Sequence, residues 1–161
     1  MNIENLRWLY RIGSSTLKAN LEEVTPEEAL RRPEPGGNSV AWVVGHLLRS
    51  RQFLLTLLGT PWSIGEAAEI AYKRGSTGDD DGAFLPFERI LKLWDESQEL
   101  LMKALDNFTE EALQGDAPPL GDFARADTLE RRILFLYFHE TYHLGQLGLI
   151  RRLLGKEGAI K

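Results

Sequence analysis

The chain has 161 residues, 43% hydrophobic and 27% charged, and its 19 basic and 24 acidic side chains leave a formal charge of −5. That composition excludes a disordered chain and predicts one domain, residues 1–161, long enough to bury a sizeable core. The acidic balance argues against nucleic acid as a partner, and the absence of cysteine excludes disulfides, thiolate metal sites and a cysteine nucleophile.

The N-terminal Met1-Asn2-Ile3-Glu4-Asn5 lacks the basic and then apolar run of a secretory signal, so a cytoplasmic protein is expected. Helical periodicity begins at once. A first helix is predicted from about Asn2 to Glu22, with Ile3, Leu6, Tyr10, Gly13, Leu17 and Leu21 along one stripe. A short helix follows at Thr25-Pro26-Glu27-Glu28, where Thr25 can cap, Pro26 suits the first turn and Glu28 can complete a capping box. Pro33-Glu34-Pro35-Gly36-Gly37 breaks the chain.

The second long helix opens at Asn38 or Ser39 and runs to about Leu58, before Gly59-Thr60-Pro61. Its expected inner face carries Trp42, Val43, His46, Ser50, Phe53 and Leu57. Residues 62–85 read as the least regular part. Their acidic turn, Gly75 to Gly82, has three consecutive aspartates, the wrong spacing for an EF-hand, and is expected to be a solvated loop.

The third long helix is predicted from Pro86 to Asn107, with Gln98 in the middle of an apolar stripe and in need of a partner on a neighbouring helix. Thr109 to Gln114 adds a helical turn. The fourth long helix, capped by Asp127 or Thr128, continues to Leu154 with Gly155 closing it. Arg132, Leu136, His139, His143, Gln146 and Ile150 project to one side. Its apolar stretch from Ile133 to Ile150 contains Glu140, two histidines and Gln146, so a core helix is expected and not a membrane span. Its outer flank is apolar enough to need cover, from a homodimer contact or from the long connection after the second helix. The pattern is all-α, a four-helix bundle with long crossover connections.

The chain's only three histidines are His46, His139 and His143, all on these inner faces. His139 and His143 stand four apart, close enough on one helix face to share an ion. Three neutral imidazoles would bind a divalent cation and leave a coordination position open, the catalytic pattern for zinc, with iron, nickel and copper also suited. Water or a thiol at that position becomes a nucleophile near neutral pH. His139-Glu140-x-x-His143 also matches the zincin protease motif, with Glu140 as base. The flanking strands are missing, however, and Gln146 and Leu149 stand where the extended motif needs glycine and histidine. Glu140 is therefore a candidate acid/base group that either reaches bound water or faces solvent. Gln146 is a candidate for orienting a ligand, and Arg49 and Arg132 for binding a carboxylate of thiol or substrate.

Ser39-Val40-Ala41-Trp42-Val43-Val44-Gly45-His46-Leu47 resembles the second-helix motif of the DinB-like (DinB/YfiT) superfamily, and His139-Glu140-Thr141-Tyr142-His143-Leu144-Gly145-Gln146 resembles its fourth-helix motif. The resemblance implies a four-helix bundle, often dimeric, holding nickel, zinc or iron through His46, His139 and His143. It also implies thiol-dependent chemistry of the kind run by mycothiol-dependent isomerases and bacillithiol S-transferases. A metal-dependent transferase acting on a small thiol is the leading expectation. A hydrolase using metal-activated water and a non-catalytic ligand-binding module are the alternatives.

Overall fold

The computed structural model describes residues 2–34, 36–76, 83–117 and 127–160. The aspartates of the acidic turn lie outside them, as does most of the loop that follows Asp116. Every element among the described residues is helical, apart from one isolated bridge between Asp116 and Thr128.

Helix α1 (Ile3–Leu21) starts where the Asn2 side chain accepts the Asn5 N–H at 2.8 Å, and it buries Leu6, Tyr10, Gly13, Leu17 and Leu21 as its stripe predicts. Helix α2 (Pro26–Leu30) carries the expected box: Thr25 accepts the Glu28 N–H at 3.2 Å while the Glu28 carboxylate accepts the Thr25 N–H at 2.9 Å. Helix α3 (Val40–Leu57) is capped by Ser39, which accepts the Trp42 N–H at 3.2 Å. Helix α5 (Phe87–Asp106) follows the short α4 (Glu66–Ala71), a 3-10 turn spans Ala112–Gln114, and α6 is Leu129–Leu153. Thr128, not Asp127, caps α6, because Asp127 is instead paired with Arg131 at 2.6 Å.

Two expectations are revised. The irregular stretch contains α4, too short for periodicity to register and opened by Gly65 at φ 93° without a side-chain cap. The inner face of α3 also differs in its second half. Arg51, Leu54, Leu55 and Leu58 are buried there, while Phe53 and Leu57 are only half-buried. From Val40 to Leu48 every side chain of α3 is buried, so the helix is covered on several sides and its pattern cannot single out one face.

The bundle is formed by α1, α3, α5 and α6. Helix α6 packs on α1 and α3, and α5 packs on the same two, so α1 and α3 sit across the diagonal. Its apolar interior falls into two clusters. One holds Leu17, Leu47, Leu48, Trp94 and Leu144, and the other holds Tyr10, Leu54, Leu101 and Leu136. Along each helix the residues between the clusters are Gly13, Arg51, Gln98 and Glu140, a polar level crossing the whole bundle. Among the described residues no helix is long and apolar enough to cross a membrane.

Candidate metal centre

The α3–α6 seam brings the three histidines together. His46 comes from α3, and His139 and His143 from one face of α6. The His139 Nε2 lies 3.2 Å from Nε2 of His46 and 3.1 Å from Nε2 of His143, and the three donor atoms all lie within 4.8 Å of one another. Two nitrogens on one ion at about 2.05 Å are about 3.3 Å apart at a tetrahedral angle and about 2.9 Å at a right angle. Both separations from His139 Nε2 fall between those limits.

His46 Nδ1 is 2.9 Å from the Tyr72 carbonyl, which can only accept, so Nδ1 carries the proton and Nε2 holds a lone pair. His143 Nδ1 lies 2.7 Å from Gln146 Oε1 and is fixed in the same tautomer. Ser50 donates its hydroxyl to the His46 carbonyl at 3.2 Å, leaving an oxygen lone pair 3.4 Å from His139 Nδ1. A single proton on His139 Nε2 could satisfy only one of its two close contacts, whereas one cation satisfies all three nitrogens. A hydrogen-bond partner on the far ring nitrogen, such as the Tyr72 carbonyl on His46, is the usual support of metal-bound histidine. The donor set therefore fits a divalent ion.

The rings are also kept neutral. Burial lowers the pKa of His46, and the Arg49 charge acts in the same direction. His139 is pushed down to about 4, by burial first and then by the neighbouring imidazoles. Burial lowers His143 as well, against the opposing pull of its bond to Gln146. Lone pairs are thus available at neutral pH.

Local sequence explains how the rings are held. A Cβ on Gly45 would lie 2.3 Å from the Tyr72 ring, so only glycine lets that segment close on α3 and bring its carbonyl to His46. Tyr72 is clasped in turn by Phe84, whose ring stacks at 5.0 Å, and by the Leu85 N–H, which donates to its hydroxyl at 2.9 Å. Trp42, one turn before His46, stacks on its ring at 4.8 Å and 8°. The Trp42 indole N–H donates to Ser76 at 2.8 Å.

The other candidate residues are distributed unevenly. Gln146 is at the site, but its amide grips His143. Arg49 is exposed, with its charge felt at His46. Arg132 is buried at 1% exposure and two turns from His139, about 10 Å along the helix, so it is not brought to the histidines. Glu140 neither faces solvent nor turns to the imidazoles. It is 3% exposed, and both its oxygens accept from Arg51, Nε at 2.6 Å and Nη2 at 2.7 Å. Arg51 Nη1 donates to Gln98 Oε1 at 2.9 Å, the neighbouring-helix partner that glutamine needs. Sequence reasoning missed Arg51, Ser50 as a histidine partner, and the Tyr72 carbonyl. Arg51 stands on the Leu47–Leu54–Leu58 stripe, a signal that was there to read; the carbonyl left none.

The family model of the DinB superfamily matches residues 9–147, a span that includes all three histidines. A conserved protein from Enterococcus faecalis, known from a crystal structure, is 20% identical, with 97% of this chain and 99% of that one aligned at a TM-score of 0.73. That likeness shows a shared fold alone. No curated protein matches the chain.

Proposed function

This chain belongs to the DinB superfamily, and we propose that it is a divalent-metal-dependent transferase that activates a small cytoplasmic thiol for attack on an electrophile. The observation that carries this reading is the set of imidazoles, each anchored at Nδ1 and each offering Nε2 to one point. A divalent ion there would supply positive charge that lowers the pKa of a neighbouring thiol or water. Zinc, nickel and iron all suit three imidazoles, and supply selects among them. Among the described residues no fourth histidine or carboxylate joins the group, which favours an open position over the saturated sphere of a non-catalytic module. Arg49, exposed and three residues beyond His46, is the side chain we assign to receive a carboxylate of the thiol or of its acceptor.

A hydrolase using Glu140 as base has less support, because both oxygens of that carboxylate are engaged by Arg51. The outer face of α6 exposes Phe138, Tyr142, Leu149 and Leu153 at 59 to 62%, and we assign this stripe to contact with a second copy. Y142E/L149E should then sediment as a monomer where the wild type sediments as a dimer.

The deciding assay is conjugation of common cellular thiols to a model electrophile by protein purified without added metal, with its metal content measured. Turnover that chelator or His143→Ala abolishes supports the transferase. Metal-dependent hydrolysis without thiol transfer, lost in Glu140→Gln protein that remains folded and loaded with metal, would move the reading to the hydrolase.

A further inference from the structure

The polar level next to the histidines is built around an ion pair that the proposed chemistry does not use. Arg51 and Glu140 are 1% and 4% exposed at their side chains, and they join the same two helices that carry the three imidazoles. Arg51 is five residues beyond His46, and Glu140 directly follows His139. The guanidinium makes a two-pronged contact with the carboxylate at 2.6 and 2.7 Å, a geometry that fixes direction as well as distance. Gln98 of α5 takes its third prong. The Trp94 ring, at 4.4 Å, and the Tyr10 ring, at 5.1 Å, lie against its face. Trp94 is itself held by its indole N–H, which donates to Ser14 of α1 at 3.0 Å.

On the opposite side Glu140 is seated against Gly13. A Cβ there would lie 2.8 Å from Glu140 Oε1, so a larger residue forces either the carboxylate or α1 to shift. Helices α1, α3, α5 and α6 each contribute to this level, and the two apolar clusters lie on either side of it. Apolar contacts are non-directional, whereas a buried two-pronged pair is satisfied in a single register.

We propose that Arg51 and Glu140 are positioning residues, a register clamp that sets α3 against α6 and so holds His46 at ion-binding distance from His139 and His143. The inference rests on the metal reading above. It gives the glutamate of the His-Glu-x-x-His motif a structural role in place of proton transfer. It also explains why the carboxylate sits next to a ligand and yet points away from the imidazoles.

The test is cobalt(II) binding to the full chain, read by visible ligand-field absorption and by competition with a chelator. In R51M/E140M both charges leave together, so the bundle stays folded by circular dichroism and unfolds cooperatively. Its cobalt affinity should nonetheless drop at least about tenfold, with an altered ligand-field band of the size expected for lost support around metal-binding histidines. R51K, which keeps the charge and loses the fork, should fall between this variant and the wild type. G13A, which leaves both charges in place and pushes on the carboxylate, should weaken cobalt in the same direction. Cobalt affinity and spectrum within about twofold of wild type in G13A and R51K would overturn the clamp, whether or not the double variant folds. A wild-type protein whose cobalt spectrum survives His143→Ala would instead sink the metal site, and the clamp with it.

Discussion

Arg51 with Glu140 on one level, and His46 with His139 and His143 on the next, are carried by the same two helices, yet their hydrogen-bond balance is opposite. In the first level three donor groups of Arg51 have named acceptors, and both carboxylate oxygens are used. In the second, each outward ring nitrogen has a partner, while a single proton on His139 Nε2 leaves at least one of the two close inward contacts lone pair to lone pair. A closed polar level specifies a fold. A level closed only from behind specifies a ligand. The contrast teaches that polar burial must be scored atom by atom, since residue-level burial puts His46 and His143 in one class with Arg51 and Glu140.

The largest break in that contrast should come from Glu140→Gln in metal-free protein. It strands the Arg51 charge in the core and should lower unfolding free energy by about 3–5 kcal/mol in a denaturant titration. A change under about 1 kcal/mol would mean the pair is not the closed level described here. His143→Ala, by comparison, removes one of the crowded lone pairs and should leave metal-free stability far less affected.

Metal should add its stability through the histidine level. At about 100 times its dissociation constant, zinc or cobalt should raise wild-type stability by about 2.7 kcal/mol, and chelator should reverse it. His143→Ala should show no such increment, and an equal increment in that variant would place the ion elsewhere.

Acid should separate the levels further. The folded chain holds His139 at about 4 against an ordinary value of 6.5, with His46 and His143 also lowered. The unfolded chain therefore takes up protons first as pH drops through 6.5. Stability of metal-free protein should be full above that value and decline toward about pH 4, and bound metal should be released over the same window. Denaturant titrations at pH 7.5 and 5 that give equal stability would refute the depressed histidines.

The smallest effect should come from a site in neither level. Thr128→Ala removes the cap of α6 and should lower stability by about 1 kcal/mol, leaving cobalt affinity unchanged.

Helix existence, most of the caps and the three candidate ligands were legible in the chain itself. They depend on local rules: apolar spacing at helical period, a hydroxyl or carboxamide before the first turn, and the i to i+4 geometry of His139 and His143. Helix α4 escaped because six residues carry too little periodicity. The roles of Arg51 and Glu140 escaped for a different reason. Position on a helix gave Glu140 an angle but not a partner, and its partner lies 89 residues upstream on another helix. The Tyr72 carbonyl is a backbone atom whose approach depends on the missing side chain of Gly45, so no residue type announces it. Local order follows from neighbours in sequence, whereas charge pairing and lone-pair direction follow from which helix faces which, and packing alone decides that.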